Sequence, residues 1–162
     1  MNKPDADTIQ RWILDAGFHP TELPDQTVVL IRDVLRPSFF SSWACVEGEQ
    51  GEWQAWPCRT VPTDRELTKA KRNRKGTAII APGRLNVDCW AHGYHSPGKY
   101  GKARPCLRQV APIVVHRDDD GDASPDWTQV SDIHLDARGV NLHDFRGSSA
   151  GCPVLPDQNS VD

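Results

Sequence analysis

The stretch Gly-Val-Asn-Leu-His-Asp-Phe-Arg-Gly-Ser-Ser-Ala-Gly-Cys-Pro occupies residues 139–153 of the 162-residue chain and is its most informative part. Apolar and polar residues alternate up to His143, as in a β-strand with one buried face. A loop of small residues follows, and Cys152 comes directly after a glycine, where a second strand begins. The stretch therefore predicts two neighbouring strands, one ending in a histidine and the other beginning with a cysteine.

A histidine beside a cysteine is the arrangement that nucleophilic thiol catalysis requires. The thiolate is the reactive form of cysteine, and an imidazole within about 3 Å can take the thiol proton. Ser149, Ala150 and Gly151 are small enough to let backbone N–H groups point at the oxyanion of a tetrahedral intermediate. The local pattern alone fits a structural cysteine equally well, since such a cysteine is often a small buried hydrophobe.

Outside this stretch the pattern predicts one helix and several strands. Residues 5–18 carry apolar residues at helical spacing, with Asp5 or Asp7 as the N-cap and Gly17 at the end. Short apolar and β-branched runs bounded by turn residues predict strands at 27–31, 43–47, 53–56, 77–80, 87–92, 110–116, 140–143 and 152–155. The turn-forming residues 48–51 predict a hairpin between the second and third of these strands. We therefore expect a mainly β fold, a sandwich or partly closed barrel, with a short N-terminal helix packed on it.

Four further blocks occur in a fixed order before residues 139–153. They are Val-Leu-Ile-Arg at 29–32, Gly-Thr-Ala-Ile-Ile-Ala-Pro-Gly at 76–83, Trp-Ala-His-Gly-Tyr-His at 90–95 and Pro-Ile-Val-Val-His-Arg-Asp at 112–118. Together with Val-Asn-Leu-His and Ser-Ala-Gly-Cys, this set resembles the L,D-transpeptidase catalytic domain, especially a branch of phage and bacterial wall-active proteins. The resemblance covers about residues 27–156 and implies a helical extension at 1–25 before an L,D-transpeptidase-like catalytic domain at 26–162.

The resemblance also implies roles for individual residues. Cys152 would be the nucleophile and His143 its base, while Ala150 and Gly151 would shape the oxyanion site and Ser149 would steady the loop. The residues expected to contact substrate are His95, His92 and Arg146. No metal and no cofactor are expected. The substrate implied is the peptide stem of peptidoglycan, attacked at the carbonyl after its diaminopimelate or equivalent residue to give a thioester acyl-enzyme.

Composition restricts the class of partner. The net charge of −3 disfavours nucleic acid, and no apolar run is long enough for membrane insertion. Residues 1–7 hold one lysine followed by acids and do not resemble a signal peptide. We therefore expect a protein made in the cytoplasm that reaches the periplasm or cell wall through a holin or a secretion machine, as a phage lysis protein or an antibacterial effector. A holin, a secretion component or an immunity protein would be its protein partner, and a monomer is expected.

Several alternatives stay open on the residues alone. His92 and His95, with His143 and Cys152, could hold zinc, which would make the protein a zinc-dependent wall hydrolase. The chain could also be a non-enzymatic wall-binding or phage structural module. His134 could orient the base, although a partly exposed strand histidine is favoured. The acidic residues 118–122 favour a hairpin turn over a calcium loop.

The five cysteines are an odd number and leave the redox state open. Cys45 with Cys58 and Cys89 with Cys106 could form disulfides in an oxidising compartment, which would leave Cys152 free. In a reducing compartment all five would be thiols. Hydrolysis and transpeptidation are equally compatible with the sequence, because they differ only in which acceptor reaches the acyl-enzyme.

Overall fold

The computed structural model describes residues 2–25, 27–33, 40–61, 77–95, 104–118, 127–131, 140–144 and 153–156. Within them lie a helix, α1 (Ala6–Asp15), a short 3₁₀ helix (Pro20–Glu22) and strands β1 (Val28–Ile31), β2 (Ser42–Glu47), β3 (Trp53–Cys58), β4 (Thr77–Ile80), β5 (Trp90–His95), β6 (Arg104–Gln109), β7 (Ile113–Asp118), β8 (Trp127–Ser131), β9 (Leu142–Asp144) and β10 (Val154–Leu155). The predicted mainly β class with a short N-terminal helix is confirmed.

Helix α1 begins and ends where local chemistry predicts. The Asp5 side chain accepts a hydrogen bond of 2.9 Å from the backbone N–H of Thr8, which satisfies one of the unpaired donors of the first turn. Gly17 follows the last turn with a φ of 86°, a left-handed conformation that glycine adopts without strain. The apolar face of the helix carries Ile9 and Ile13, both buried.

That face packs on the first sheet, which has the order β1-β2-β3. Both pairs are antiparallel, with Leu30 opposite Ala44 and Cys45 opposite Ala55. The β2–β3 pair is the hairpin that the turn residues 48–51 predict. Ile9 and Ile13 share a buried cluster with residues of this sheet, namely Trp43, Cys45 and Ala55.

The second sheet has the order β10-β9-β6-β5. Strands β5, β6 and β9 are antiparallel neighbours, whereas β9 and β10 are parallel. The third sheet is antiparallel with the order β4-β7-β8. In the described part of the chain none of the three sheets closes into a barrel.

Polar side chains connect the sheets. The Arg32 Nη2 atom donates to the carbonyl of Ile80 at 2.8 Å, which joins the end of β1 to β4. The backbone N–H of Val114 in β7 donates to the Asn86 side chain at 2.9 Å. A second buried apolar cluster lies between the second and third sheets and contains Ala78, Cys89, Ile113, Val115 and Val140.

Two strand predictions need correction, and two strands were missed. The strand predicted at 87–92 begins only at Trp90, because Asp88 has a φ of 49°, which ends extended backbone. The run at 110–116 starts as β7 only at Ile113, since the N–H groups of Val110 and Ala111 turn to the carbonyl of Cys89. Strands β6 and β8 are not predicted from the sequence.

No helix among the described residues has both the length and the apolar character needed to cross a membrane. Residues 119–126, between β7 and β8, lie outside the described residues, so the predicted acidic turn is described only at Asp118. The antiparallel pairing of β7 with β8 is the pairing that a hairpin at this place would give.

Candidate functional site

His143 stands at the centre of the second sheet. Its Cα is paired with that of Cys106 in β6 on one side and with that of Val154 in β10 on the other. Cys106 is paired in turn with Gly93 of β5. These four positions form one row across the sheet, which we call the His143 row: Gly93, Cys106, His143 and Val154.

The parallel register of β9 and β10 places the residue that follows the informative stretch, Val154, beside His143. Val154 lies opposite His143 and Leu155 lies opposite Asp144. The segment that carries the predicted nucleophile and oxyanion residues lies outside the described residues, so the structure does not place Arg146, Ser149, Ala150, Gly151 or Cys152. The described chain resumes at Pro153, whose side chain is fully buried.

The other two histidines of the site prediction occupy different rows. His92 is exposed and paired with Leu107, which is paired with Leu142; this is the row next to the His143 row. Successive rows belong to opposite faces of a sheet, so the positions of His92 and His143 are on opposite faces. His95 is paired with Arg104, two positions from Gly93, and its row belongs to the same face as the His143 row.

This arrangement bears on the zinc alternative. The four proposed ligands do not share one face, because the position of His92 is on the face opposite that of His143. Among the described side chains there is no group of three or more histidine, cysteine, aspartate or glutamate residues suited to a metal ion. His134 lies outside the described residues.

Buried amides anchor the strand that carries His143. The Asn141 side-chain oxygen accepts a hydrogen bond of 2.8 Å from the backbone N–H of Gln109, and the Gln109 side-chain oxygen accepts one of 2.6 Å from the backbone N–H of Val140. The indole N–H of Trp90 donates to the Val140 carbonyl at 2.9 Å. Buried backbone groups need such partners, so these bonds fix where β9 enters the sheet.

Replacing Asn141 by leucine is therefore expected to lower the free energy of unfolding by about 1–3 kcal/mol, because the buried N–H of Gln109 loses its acceptor. Urea denaturation followed by tryptophan fluorescence measures this change. Gln54→Leu makes a similar polar-to-apolar change at an exposed position in β3 and is expected to stay within about 0.5 kcal/mol of the wild type. Equal stability of the two variants would contradict an anchoring role for Asn141.

Arg108 lies beside the His143 row and is not among the residues predicted from the sequence, since β6 itself is not predicted. It is exposed and is paired with Ala91, two positions from Cys106 on the same face. Its side chain runs across Gly93: a Cβ atom built on Gly93 would lie 3.2 Å from the Arg108 Cβ and 3.6 Å from its Cδ. A glycine inside a strand often marks such a close approach, so Gly93 is the residue from which the sequence could have predicted it.

Four of the five cysteines are buried free thiols: Cys45, Cys58, Cys89 and Cys106. Cys45 lies opposite Ala55, three residues from Cys58, which is about 10 Å along a strand. Cys89 is four residues from Gly93, the partner of Cys106, which is about 13 Å. A disulfide needs Cα atoms within about 7 Å, so the two pairings considered from the sequence do not fit this structure.

Burial also makes these thiols unreactive. It raises the pKa of Cys45 to about 12 and, with a smaller electrostatic contribution from Cys45, raises that of Cys58 to about 12. Burial likewise raises the pKa of Cys89 and Cys106. At neutral pH each is held as the poorly nucleophilic thiol, so none is suited to act as a thiolate nucleophile.

Iodoacetamide at pH 7.5 is therefore expected to leave these four cysteines unmodified in the native protein and to modify them all in denaturant. Mass spectrometry of tryptic peptides identifies which residues carry the label. Rapid native labelling of Cys45 or Cys58 would contradict the burial of the first sheet. Equal labelling of Cys106 in the two states would contradict its place in the second sheet.

No protein-family model, no curated protein and no solved structure matches this chain.

Proposed function

We propose that the protein is a cysteine enzyme that acts on peptidoglycan stem peptides, with Cys152 as the nucleophile and His143 as its base. The resemblance of residues 27–156 to the L,D-transpeptidase catalytic domain suggests this activity. The single structural observation that carries it is the parallel pairing of β9 with β10, in which His143 lies opposite Val154.

This pairing limits how far Cys152 can be from His143. Paired strands are about 4.8 Å apart, and two residues of chain span at most about 7 Å. Because Cys152 is two residues before Val154, covalent geometry limits its Cα to within about 12 Å of the His143 Cα. This limit is compatible with the close approach that a nucleophile and its base require and supports the proposal to that extent.

The other four cysteines support the assignment of Cys152 as nucleophile, because they are poorly suited to that role themselves. The pKa of each of the four described thiols is raised by burial, which suits structural residues. Cys152 is the fifth cysteine, and it follows the small residues Ser149, Ala150 and Gly151. Backbone N–H groups in such a segment can approach a substrate oxygen closely.

The proposed reaction has two steps. His143 takes the proton of the Cys152 thiol, and the sulfur attacks the carbonyl carbon after the diaminopimelate or equivalent residue. The tetrahedral oxyanion collapses to a thioester while the protonated His143 gives its proton to the departing amine. Water or another amine then attacks the thioester and gives a proton to His143, which passes it to the departing Cys152 sulfur and restores the thiol. Water gives carboxypeptidase or endopeptidase activity, and an amine gives exchange or cross-linking.

The biological setting that we propose is wall degradation by a phage lysis protein or a secreted antibacterial effector. The basis is the likeness of the Val-Asn-Leu-His and Ser-Ala-Gly-Cys blocks to a branch of phage and bacterial wall-active proteins. A holin, a secretion component or an immunity protein would then be its partner.

Mass spectrometry of a reaction with peptidoglycan fragments bearing tetrapeptide stems tests the proposal. After acid quenching, the Cys152 peptide is expected to carry the mass of the acyl donor less that of its leaving amine. The products are expected to show loss of a terminal D-alanine, a cut cross-link or a newly attached D-amino acid. Turnover without an adduct on Cys152, abolished by a chelator, would favour a zinc enzyme, and a folded protein without turnover or adduct would favour a wall-binding module.

A further inference from the structure

The face of the second sheet that contains the His143 row has an uneven distribution of charge. Two arginines, Arg104 and Arg108, occupy positions on this face in β6, and two histidines, His95 and His143, occupy positions on it in β5 and β9. Asp144 belongs to the opposite face, in the row next to the His143 row. Among the described positions of β5, β6, β9 and β10, this face has no carboxylate.

Among the side chains of this face that the structure describes, Arg108 is the positively charged one, and it is directed towards the His143 row. Its Cβ and Cδ lie over Gly93, which belongs to that row, whereas its own cross-strand partner is Ala91 in the preceding row. The positive charge of Arg108 also lowers the pKa of the thiol of Cys106, the direct partner of His143, although the net shift is upward because burial is the larger effect. The guanidinium is therefore electrostatically coupled to the centre of the row.

Gly93 is what makes this orientation fit. A side chain at this position would begin 3.2 Å from the Arg108 Cβ, closer than ordinary van der Waals contact, and would occupy the space that the Arg108 stem uses. Gly93 and Ala91 are the smallest residues of β5, so at these two positions no bulky side chain of that strand covers the face beside Arg108. An exposed guanidinium above a small-residue strand can reach a ligand lying across the sheet.

We propose that Arg108 binds a carboxylate of the peptide substrate, so that the preferred acyl donor carries a free carboxylate close to the bond that Cys152 attacks. This inference rests on the proposed function for the identity of the peptide. A guanidinium presents parallel N–H donors that match the two oxygens of a carboxylate, and this match discriminates a free acid from its amide. Arg108 is thus a residue that determines which peptides bind.

The test measures binding apart from turnover. In a Cys152→Ala background, isothermal titration calorimetry compares a synthetic tetrapeptide stem with two analogues, one amidated at its terminal carboxylate and one at the side-chain carboxylate of its third residue. With Arg108 present, one of the two amidations is expected to weaken binding about tenfold. Arg108→Gln is expected to abolish that difference, and Arg108→Lys is expected to restore part of it, because lysine keeps the charge without the planar fork.

Two further variants sharpen the result. Arg11→Gln removes another exposed arginine, in α1, which packs on the first sheet, and is expected to leave the preference unchanged. Gly93→Ala is expected to reduce the preference, because the added Cβ displaces the Arg108 stem. Urea midpoints close to that of the Cys152→Ala parent verify that each variant is folded.

Several outcomes would overturn the role of Arg108: no measurable peptide binding with Arg108 present, binding that ignores both amidations, or an Arg108→Gln variant that weakens the acid and the amides equally. Failure of the proposed function looks different. In that case wild-type protein would turn over no stem peptide, while the Arg108-dependent preference in binding would still be seen.

Discussion

Replacing Cys152 by alanine is expected to lower the rate of stem-peptide cleavage or exchange by at least about a thousandfold. Alanine offers no atom that can form the thioester, and water held by the remaining site must then attack the peptide carbonyl directly. What is left is the contribution of substrate binding and of any oxyanion donors, which is small by comparison. Initial rates on a tetrapeptide stem, followed by mass spectrometry, measure the loss.

Cys106→Ala is the matched control for this experiment. Cys106 is also a cysteine in the second sheet, and it is the cross-strand partner of His143, but it is buried and its pKa is raised. Its replacement is expected to destabilise the fold by about 1 kcal/mol and to change the rate only a few-fold. A Cys152→Ala protein as active as the Cys106→Ala protein would refute the thiol mechanism.

The sequence predicts those parts of the fold that local pattern determines. The cap at Asp5, the stop at Gly17 and the β2–β3 hairpin all depend on residues a few positions apart, and all three are found. Strand β6 escapes prediction because proline normally argues against a central strand, and it contains Pro105. Pro105 is accommodated because β9 pairs with β6 only at Cys106 and Leu107, so that β6 has no partner on that side at Pro105 among the described residues.

The candidate site also has one part that local sequence predicts and another that depends on residues distant in sequence. Two strands close to each other, one carrying His143 and one directly after Cys152, can be predicted from residues 139–155, since both belong to one short stretch. The placement of Cys106 and Gly93 beside His143 depends on pairings with β6 and β5, which are distant in sequence, and no local pattern encodes them. The alternation of side chains along a strand would by itself have predicted that His92 and His95 lie on different faces, because residues three apart on a strand occupy opposite faces.

Replacing His143 by glutamine is expected to lower the rate by about a hundredfold to ten-thousandfold, the usual contribution of a general base. Glutamine keeps a polar side chain of similar length but cannot take the thiol proton at neutral pH. The reactivity of Cys152 should change with it. Rates of iodoacetamide labelling at Cys152, measured from pH 5 to pH 10, are expected to show a midpoint that moves up in the variant towards about 8.5, the value of an ordinary cysteine.

His92→Gln separates this effect from the loss of any histidine near the site. His92 occupies a position on the face opposite that of His143, and it is exposed, so its replacement is expected to leave both the rate and the labelling midpoint close to those of the wild type. An equal fall in rate for His92→Gln and His143→Gln would mean that both histidines take part in the reaction. That result would contradict the strand register, which places them on opposite faces of the sheet. A His143→Gln protein with an unchanged midpoint and rate would remove His143 as the base and leave Cys152 to be activated by another group.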